Sequence, residues 1–503
     1  MSTIRRQSII SSFVIYIGFA VGLVNTYFFT KEGLFTEAEY GLIGIFIAIS
    51  ALMLAFAQMA MPSYIYKFYP YYKDNLPASK NDMLTWALVT GCIGFLLVAI
   101  AGWCFKDIVI RKFGQNSPQL VQYYYWIFPM GFGLTMYTIL ESYAVNLGKP
   151  VLTQFLREVK WRLLTTLLIA LFSFHLIGDF SLFIKLYSLA YPVLAIFLLV
   201  YLLYTGDIHF TFKPSKVSRR LFRKILTFCL FLYSGTLIFN IAQVFDSLVI
   251  ASVLEGGEAK VGVFTLAQLM AGVIQAPQRA IIASAIPHIS RAWKEKNLPL
   301  LQKIYQRSSL NQLIFALGFF VLIALNYREA VTTFQLKEVY LSGFNAFLLL
   351  GLMRVVDMGT GVNTQIIGTS NYWRFDLISG IILLAIMLPL SYVLAKRYDI
   401  TGPAIANLIS VGVYNLVRII FLWKKYKLFP FTAQTVYTLL LAGVVYSACY
   451  FTFQSMHGIG GLVLRSIAFV AIYGGAVIYF RISPDITPVL LSLGKRLRII
   501  KKK

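Results

Sequence analysis

Apolar runs of about 18 residues or more, enough for a helix to cross a bilayer, recur along this chain from end to end. Fourteen such segments can be marked, at approximately 8–29, 41–66, 83–104, 119–147, 153–177, 182–204, 222–254, 261–290, 306–325, 338–368, 373–395, 402–423, 432–452 and 461–480. A soluble core has no use for so many. With 58% hydrophobic residues against 13% charged, the chain reads as a polytopic membrane protein. In hydrocarbon every backbone N–H and C=O needs an internal partner, which leaves helices or closed barrels. The runs are continuously apolar and do not alternate, which argues against a barrel. The expected fold is all-α, with about 14 transmembrane helices. The first run follows Arg5-Arg6, exceeds a signal-peptide core in length and lacks a small-residue cleavage site, so it reads as a retained helix.

Lysine and arginine stay on the cytoplasmic side of membrane proteins. A cytoplasmic N-terminus places 31 of the 45 on cytoplasmic connections and segment ends, 10 on outer ones and 4 within segments. The reverse orientation fails, so both termini are expected in the cytoplasm. The connection 204–224 carries Lys213, Lys216, Arg219, Arg220, Arg223 and Lys224, and the tail 495–503 is also basic. The net charge of +25 is then a matter of topology and of contact with anionic phospholipids. A nucleic-acid partner would need an exposed basic domain, and the connections are too short to form one.

The basic connection divides the chain into six segments and eight, and the two parts look related. TEAEYGLIGIF (36–46) and GEAKVGVFTLA (257–267) each open a segment, and Glu37, Ala38 and Gly41 match Glu258, Ala259 and Gly262 at a spacing of 221. At that spacing Asn25 falls opposite Asp246, and Leu147-Gly148 answers Ile367-Gly368 at 220. A duplication of this kind gives two parallel repeats about an axis along the membrane normal. The expected organisation is an N-terminal six-helix lobe at 1–212, a second at 213–428, and two additional helices with a basic cytoplasmic tail at 429–503.

Ionisable groups at membrane depth are costly, on the order of 3 kcal/mol or more each, and normally face a protein interior or a wet cavity. The stretch GLMRVVDMGTGVNTQIIGTS (351–370) concentrates them: Arg354, Asp357, Gly361 and Thr364 fall on one helical face, with Asn363 beside them. Arg354 is too deep to snorkel. It is either paired with Asp357 or an anion-binding group whose guanidinium matches phosphate geometry. Arg279 follows Pro277 in Gln275-Ala-Pro-Gln-Arg. There a proline kink suits a cavity-lining helix, or a hydrogen-bond network between lobes. Arg418 lies near a cytoplasmic end and is expected to snorkel, although Asn407, Ser410, Tyr414 and Arg418 form a polar stripe at helical spacing. Arg465 reads as an interfacial anchor. Among the acids, Asp246 sits with Asn240, Gln243 and Ser247. That set fits a cation or proton, or a partner arginine. Glu141 reads as a boundary residue, and Asn25, Thr26 and Gln58 form a thinner polar lining.

The four cysteines form no CxxC pair and the four histidines have no zinc spacing. There is no phosphate-cradling glycine loop and no nucleophile elbow. The expectation is a transporter without a resident cofactor. Asp357, Asp246 and Glu141 are the candidates for coupling to a H+ or Na+ gradient or for ion pairing.

Two stretches carry a resemblance. SIISSFVIYIGFAVGLVNTYFFTKEGLFTEAEYGL (8–42) and RVVDMGTGVNTQIIGTSNYWRFDL (354–377) are similar to bacterial oligosaccharide flippases of the multidrug/oligosaccharidyl-lipid/polysaccharide (MOP) superfamily. The resemblance implies a MATE-like, V-shaped pair of helical bundles in a bacterial inner membrane. It also implies translocation of an undecaprenyl-diphosphate-linked oligosaccharide by alternating access, for polysaccharide biosynthesis. Arg354, Arg279 and Arg418 are the candidate diphosphate contacts, with Asn25, Gln58, Asn240, Gln243, Gln275 and Asn363 as polar lining. The implied protein is a monomer, with other polysaccharide-assembly membrane proteins as candidate partners. A cation-coupled drug exporter of the same superfamily would favour an acid-rich cavity, and arginines outnumber acids within the segments. A membrane-embedded polysaccharide polymerase or ligase would want a large outer loop. An auxiliary membrane scaffold without transport is a further alternative.

Overall fold

Thr36 starts the second membrane helix by a capping box. Its hydroxyl accepts from the Glu39 N–H at 3.1 Å, and the Glu39 carboxylate accepts from the Thr36 N–H at 2.7 Å. The sequence TEAE before an apolar run encodes this start. In the computed structural model, which describes residues 3–372 and 374–485, every apolar run is helical, and no strand occurs among the described residues. Trp373, in the short connection after 368, and the basic tail 495–503 lie outside the described residues. Among the described residues, twelve helical stretches are long and apolar enough to span a membrane, so the chain is a multi-pass membrane protein.

The chain forms two compact units, 1–262 and 263–503. The first contains α1 (Thr3–Thr30), α2 (Glu37–Ala57), α3 (Met61–Asn75), α4 (Met83–Cys104), α5 (Ile127–Asn146), α6 (Trp161–Ser173), α7 (Ala190–Tyr204) and α8 (Lys216–Val253). Next, α9 (Gly257–Ile274) runs across the boundary. The second unit holds α10 (Gln278–Lys294), α11 (Leu298–Thr333), α12 (Phe344–Gly359), α13 (Asn363–Gly368), α14 (Arg374–Tyr398), α15 (Thr401–Tyr426), α16 (Ala433–Phe453) and α17 (Gly458–Tyr479). Helix α5 packs against α2 and α7, and α15 against α14 and α12.

Besides short interruptions at 123–126 in the run 119–147 and at Leu189 in the run 182–204, three expected continuous segments are broken. The run 41–66 divides at Met59 and Ala60, both with positive φ, into α2 and α3. The run 261–290 divides at Gln275–Pro277, where proline removes a backbone donor, into α9 and α10. The run 338–368 divides at Gly361, φ +70°, into α12 and α13. The fifth run departs differently: it passes through a π-helical turn, Phe155–Lys160, before α6. Such turns recur at functional positions.

The first unit contains a close crossing of α2 with the start of α9. A Cβ on Gly41 would stand 1.7 Å from the Glu258 carbonyl oxygen, and one on Gly262 would stand 2.4 Å from that of Glu37. Glu258 and Gly262 follow Glu37 and Gly41 at the spacing of 221. The contact is therefore reciprocal: each glycine lies against the backbone of the other segment. Below the crossing, Glu258 accepts from the Leu120 N–H at 2.7 Å. Gly41→Ala is expected to destabilise by about 1–3 kcal/mol through overpacking against backbone. Gly443→Ala, whose Cβ meets nothing within 4 Å, should be neutral or slightly stabilising. Thermal unfolding of the two variants in detergent checks the difference.

Candidate functional site

The break between α12 and α13 organises the polar residues of the second unit. A side chain at Gly361 would meet Ser308 Oγ and Ser309 N at 2.9 Å, in a left-handed backbone conformation, so only glycine fits. Thr360 turns back to donate to the Asp357 carbonyl at 2.7 Å. Asn415 of α15 then bridges the gap. Its Nδ2 donates to Asp357 Oδ1 at 3.1 Å, and its Oδ1 accepts from Thr360 Oγ1 at 2.9 Å and Asn363 Nδ2 at 2.8 Å.

One turn further along α15, Arg418 is fully buried. Its Nε donates to Ser379 Oγ at 3.0 Å, its Nη1 to Thr364 Oγ1, and its Nη2 forms an ion pair with Asp376. The guanidinium also lies 4.1 Å from the Tyr414 ring centroid. The expectation that Arg418 snorkels is therefore corrected, and the polar-stripe reading accounts for its position. In this conformation its charge is engaged by Asp376. Asp376 is absent from the sequence expectations. It stands at the first turn of α14, where it reads as a loop acid, and its partner is 42 positions away.

Arg354 stands differently. Its Nε is buried with no hydrogen-bond partner, and among the described residues it forms no ion pair, with Asp357 or any other acid. Asp357 is near enough to attract it electrostatically, yet bonds to Asn415 instead. The pairing reading for Arg354 is thus not realised. The shared helical face extends from Arg354 only to Asp357, because the helix stops at Gly359. Arg279 is exposed in the first turn of α10, directly after the Gln275–Pro277 break, and Gln275 Nε2 donates to Gln278 Oε1 at 2.7 Å. A half-helix N-terminus carries positive dipole, which adds to the Arg279 charge. Arg465 is no interfacial anchor. It is 7% exposed, with its guanidinium on the carbonyls of Leu325, Phe453 and Met456.

The first unit has its own charged cluster. Glu141 is buried and pairs with Arg157 at 3.3 Å, so it is more than a boundary residue. Glu158 pairs with Arg162 at 2.6 Å. Asn25 donates to the Arg162 carbonyl at 2.8 Å and accepts from Thr166 at 2.7 Å. Sequence reasoning missed Arg157, Glu158 and Arg162 because it counted them as topological charges. Their signal is the alternation of charges inside an apolar run. Gln58 is buried at the α2–α3 break, Asp246 is buried in α8, Gln243 is exposed, and Asn240 bonds back to the Thr236 carbonyl at 2.8 Å.

The Arg418 network makes a test of burial energetics. Removing the acid of a buried pair leaves an uncompensated guanidinium, at about 3–5 kcal/mol, whereas removing both partners is often near neutral. Asp376→Ala should therefore lower the unfolding temperature sharply, and Asp376→Leu combined with Arg418→Met should recover most of the loss. Thermal unfolding across the cycle measures the coupling.

No protein-family model and no curated sequence matches the chain, but solved structures do. The lipid II flippase MurJ in an inward-closed conformation superposes with a TM-score of 0.70 at 14% identity, over 94% of this chain and 99% of that one. An inward-facing multidrug resistance MATE family transporter of the MOP superfamily gives 0.66 at 16%, over 83% and 98%. A MOP superfamily transporter from Pyrococcus furiosus with a binding pocket of reverse polarity gives 0.57 at 18%, over 84% and 95%. These proteins are transporters and flippases. At such identities the likeness speaks for architecture alone, and the chain has the fold that these structures share.

Proposed function

We propose that the protein flips a lipid-linked oligosaccharide, carried on undecaprenyl diphosphate, from the cytoplasmic to the outer leaflet of a bacterial inner membrane by alternating access. The observation that carries this reading is Arg354: a guanidinium at membrane depth whose buried Nε lacks an acceptor while the nearest acid is bonded elsewhere. A charge left in that state calls for an anion or water. A diphosphate supplies the anion, with oxygens spaced for the guanidinium fork. Arg279, exposed beside a helix break, is the second proposed contact. Arg418 is set aside in this conformation because Asp376 already holds it. The resemblance of 8–42 and 354–377 to oligosaccharide flippases supports the choice of substrate class, and the shared fold supports alternating access.

The test is flipping of a fluorescent polyprenyl-diphosphate sugar in proteoliposomes, together with lipid-linked precursor levels in cells. A hydrogen bond to a charged group contributes about 1.5–3 kcal/mol, so Arg354→Ala should slow flipping roughly 10- to 100-fold. Arg354→Lys should retain part of the activity, since it keeps the charge but loses the fork. Wild-type flipping by both variants, with no precursor build-up, would sink the reading. Lost drug resistance with intact polysaccharide would point to an exporter instead.

A further inference from the structure

A second polar place in the second unit owes nothing to the α12–α13 break. It lies where the end of α11 meets the turn between α16 and α17. A cavity of about 270 Å³ there is lined by Arg328, Glu329, Tyr446, Tyr450, Gln454 and Arg465. That is small beside drug-sized pockets of about 300–1,000 Å³, and its lining is more polar than a hydrocarbon-facing groove would need.

Arg465 is its fixed element. The guanidinium donates to Leu325 O at 2.9 Å, Phe453 O at 2.9 Å and Met456 O at 3.0 Å. All three acceptors are neutral carbonyls, and among the described residues Arg465 has no carboxylate partner. Phe453 ends α16, so the negative end of that helix supplies part of the missing charge. A full counter-charge is still lacking, and a guanidinium has N–H groups beyond these three bonds.

The neighbouring acid does not fill the role. Glu329 accepts from the Gly458 N–H at 2.7 Å and from Thr333 Oγ1 at 3.1 Å, and its other oxygen lies 3.1 Å from His457 Nδ1. Its charge is committed to holding the α16–α17 turn. Exposed Arg328 also lines the cavity, with its guanidinium 4.8 Å from the Phe344 ring centroid. Two arginines thus face a small polar space in which the one carboxylate is already bonded.

We propose that this pocket binds a phosphate group, with Arg465 holding it from within, Arg328 closing from the mouth, and Gln454 and the tyrosine hydroxyls donating to the remaining oxygens. The surroundings favour the headgroup of an anionic phospholipid. Phe451, Ile459 and Val463 beside the pocket are each more than half exposed, and acyl chains would lie along them. A soluble phosphate offers the same chemistry. The site is independent of Arg354 and of the flippase reading.

Native mass spectrometry of the full chain in uncharged detergent tests it, with phosphatidylglycerol, diacylglycerol and inorganic phosphate as probes. One phosphatidylglycerol should be retained in preference to diacylglycerol. Retention should fall at least ~10-fold, the scale of one charge-assisted hydrogen bond, in Arg328→Gln and in Arg465→Lys. Arg328 is exposed, so its variant keeps the fold. If millimolar phosphate displaces the lipid, both sources share the site. If phosphate raises the unfolding temperature of the wild type but not of Arg328→Gln, and phosphatidylglycerol is not held, the source is the soluble anion. Equal retention of diacylglycerol, or binding of both phosphate probes that neither arginine variant weakens, overturns the proposal.

Discussion

A guanidinium at membrane depth must be bonded, neutralised or wet, and this requirement sorts the arginines of the second unit. Arg418 meets it in full, with an acid, two hydroxyls and an aromatic face on three helices. Arg465 meets it in part, with carbonyls alone. Arg354 does not meet it within the protein. The ordering matters because the hydrophobic effect, which holds soluble cores together, is weak between helices in lipid. Polar clasps such as Arg418–Asp376 therefore carry much of the specificity with which α12, α13, α14 and α15 assemble.

The helix breaks follow from the same constraint. Irregular backbone at membrane depth is tolerated only where it is buried in protein or lines a wet cavity. At the Gly361 break the Gly359 carbonyl accepts from Ser309 Oγ at 2.5 Å and the Asp357 carbonyl from Thr360 Oγ1 at 2.7 Å, while Asn415 joins the side chains of Asp357, Thr360 and Asn363. The break is thus a built junction that turns a single helical face into a socket for α15. The breaks at Met59–Ala60 and at Gln275–Pro277 fall in the two segments that begin with the matched glutamate–glycine pairs. One ancestral helix that was already discontinuous would account for both.

What the sequence made legible was everything periodic or local: the apolar runs, the TEAE cap, the proline break, and the Glu37–Gly41 and Glu258–Gly262 match that returned as a reciprocal contact. What stayed hidden was pairing at a distance. Nothing in RFDL marks Asp376 as the partner of Arg418, since the two meet only through the packing of α14 on α15. Gly361 gave no sign of its left-handed backbone, because a glycine inside an apolar run also serves close helix packing. Arg157 and Arg162 were absorbed into a topological count that treats every cation near a segment end as solvent-facing. Glu141 and Glu158 show that the protein supplies its own counter-ions there.

Asn415 ties these strands together. By donating to Asp357 Oδ1 it takes up one oxygen of the acid near Arg354, and by accepting from Thr360 and Asn363 it closes the broken helix. Next along α15, Arg418 is held by Asp376 and has no claim on Asp357. The network around Gly361 is therefore self-sufficient without Arg354. A protein that needed Arg354 only for stability could satisfy it with Asp357 by a modest change in Asn415. The arrangement observed instead keeps the carboxylate occupied and the guanidinium open, which is the state a binding group for an anion requires.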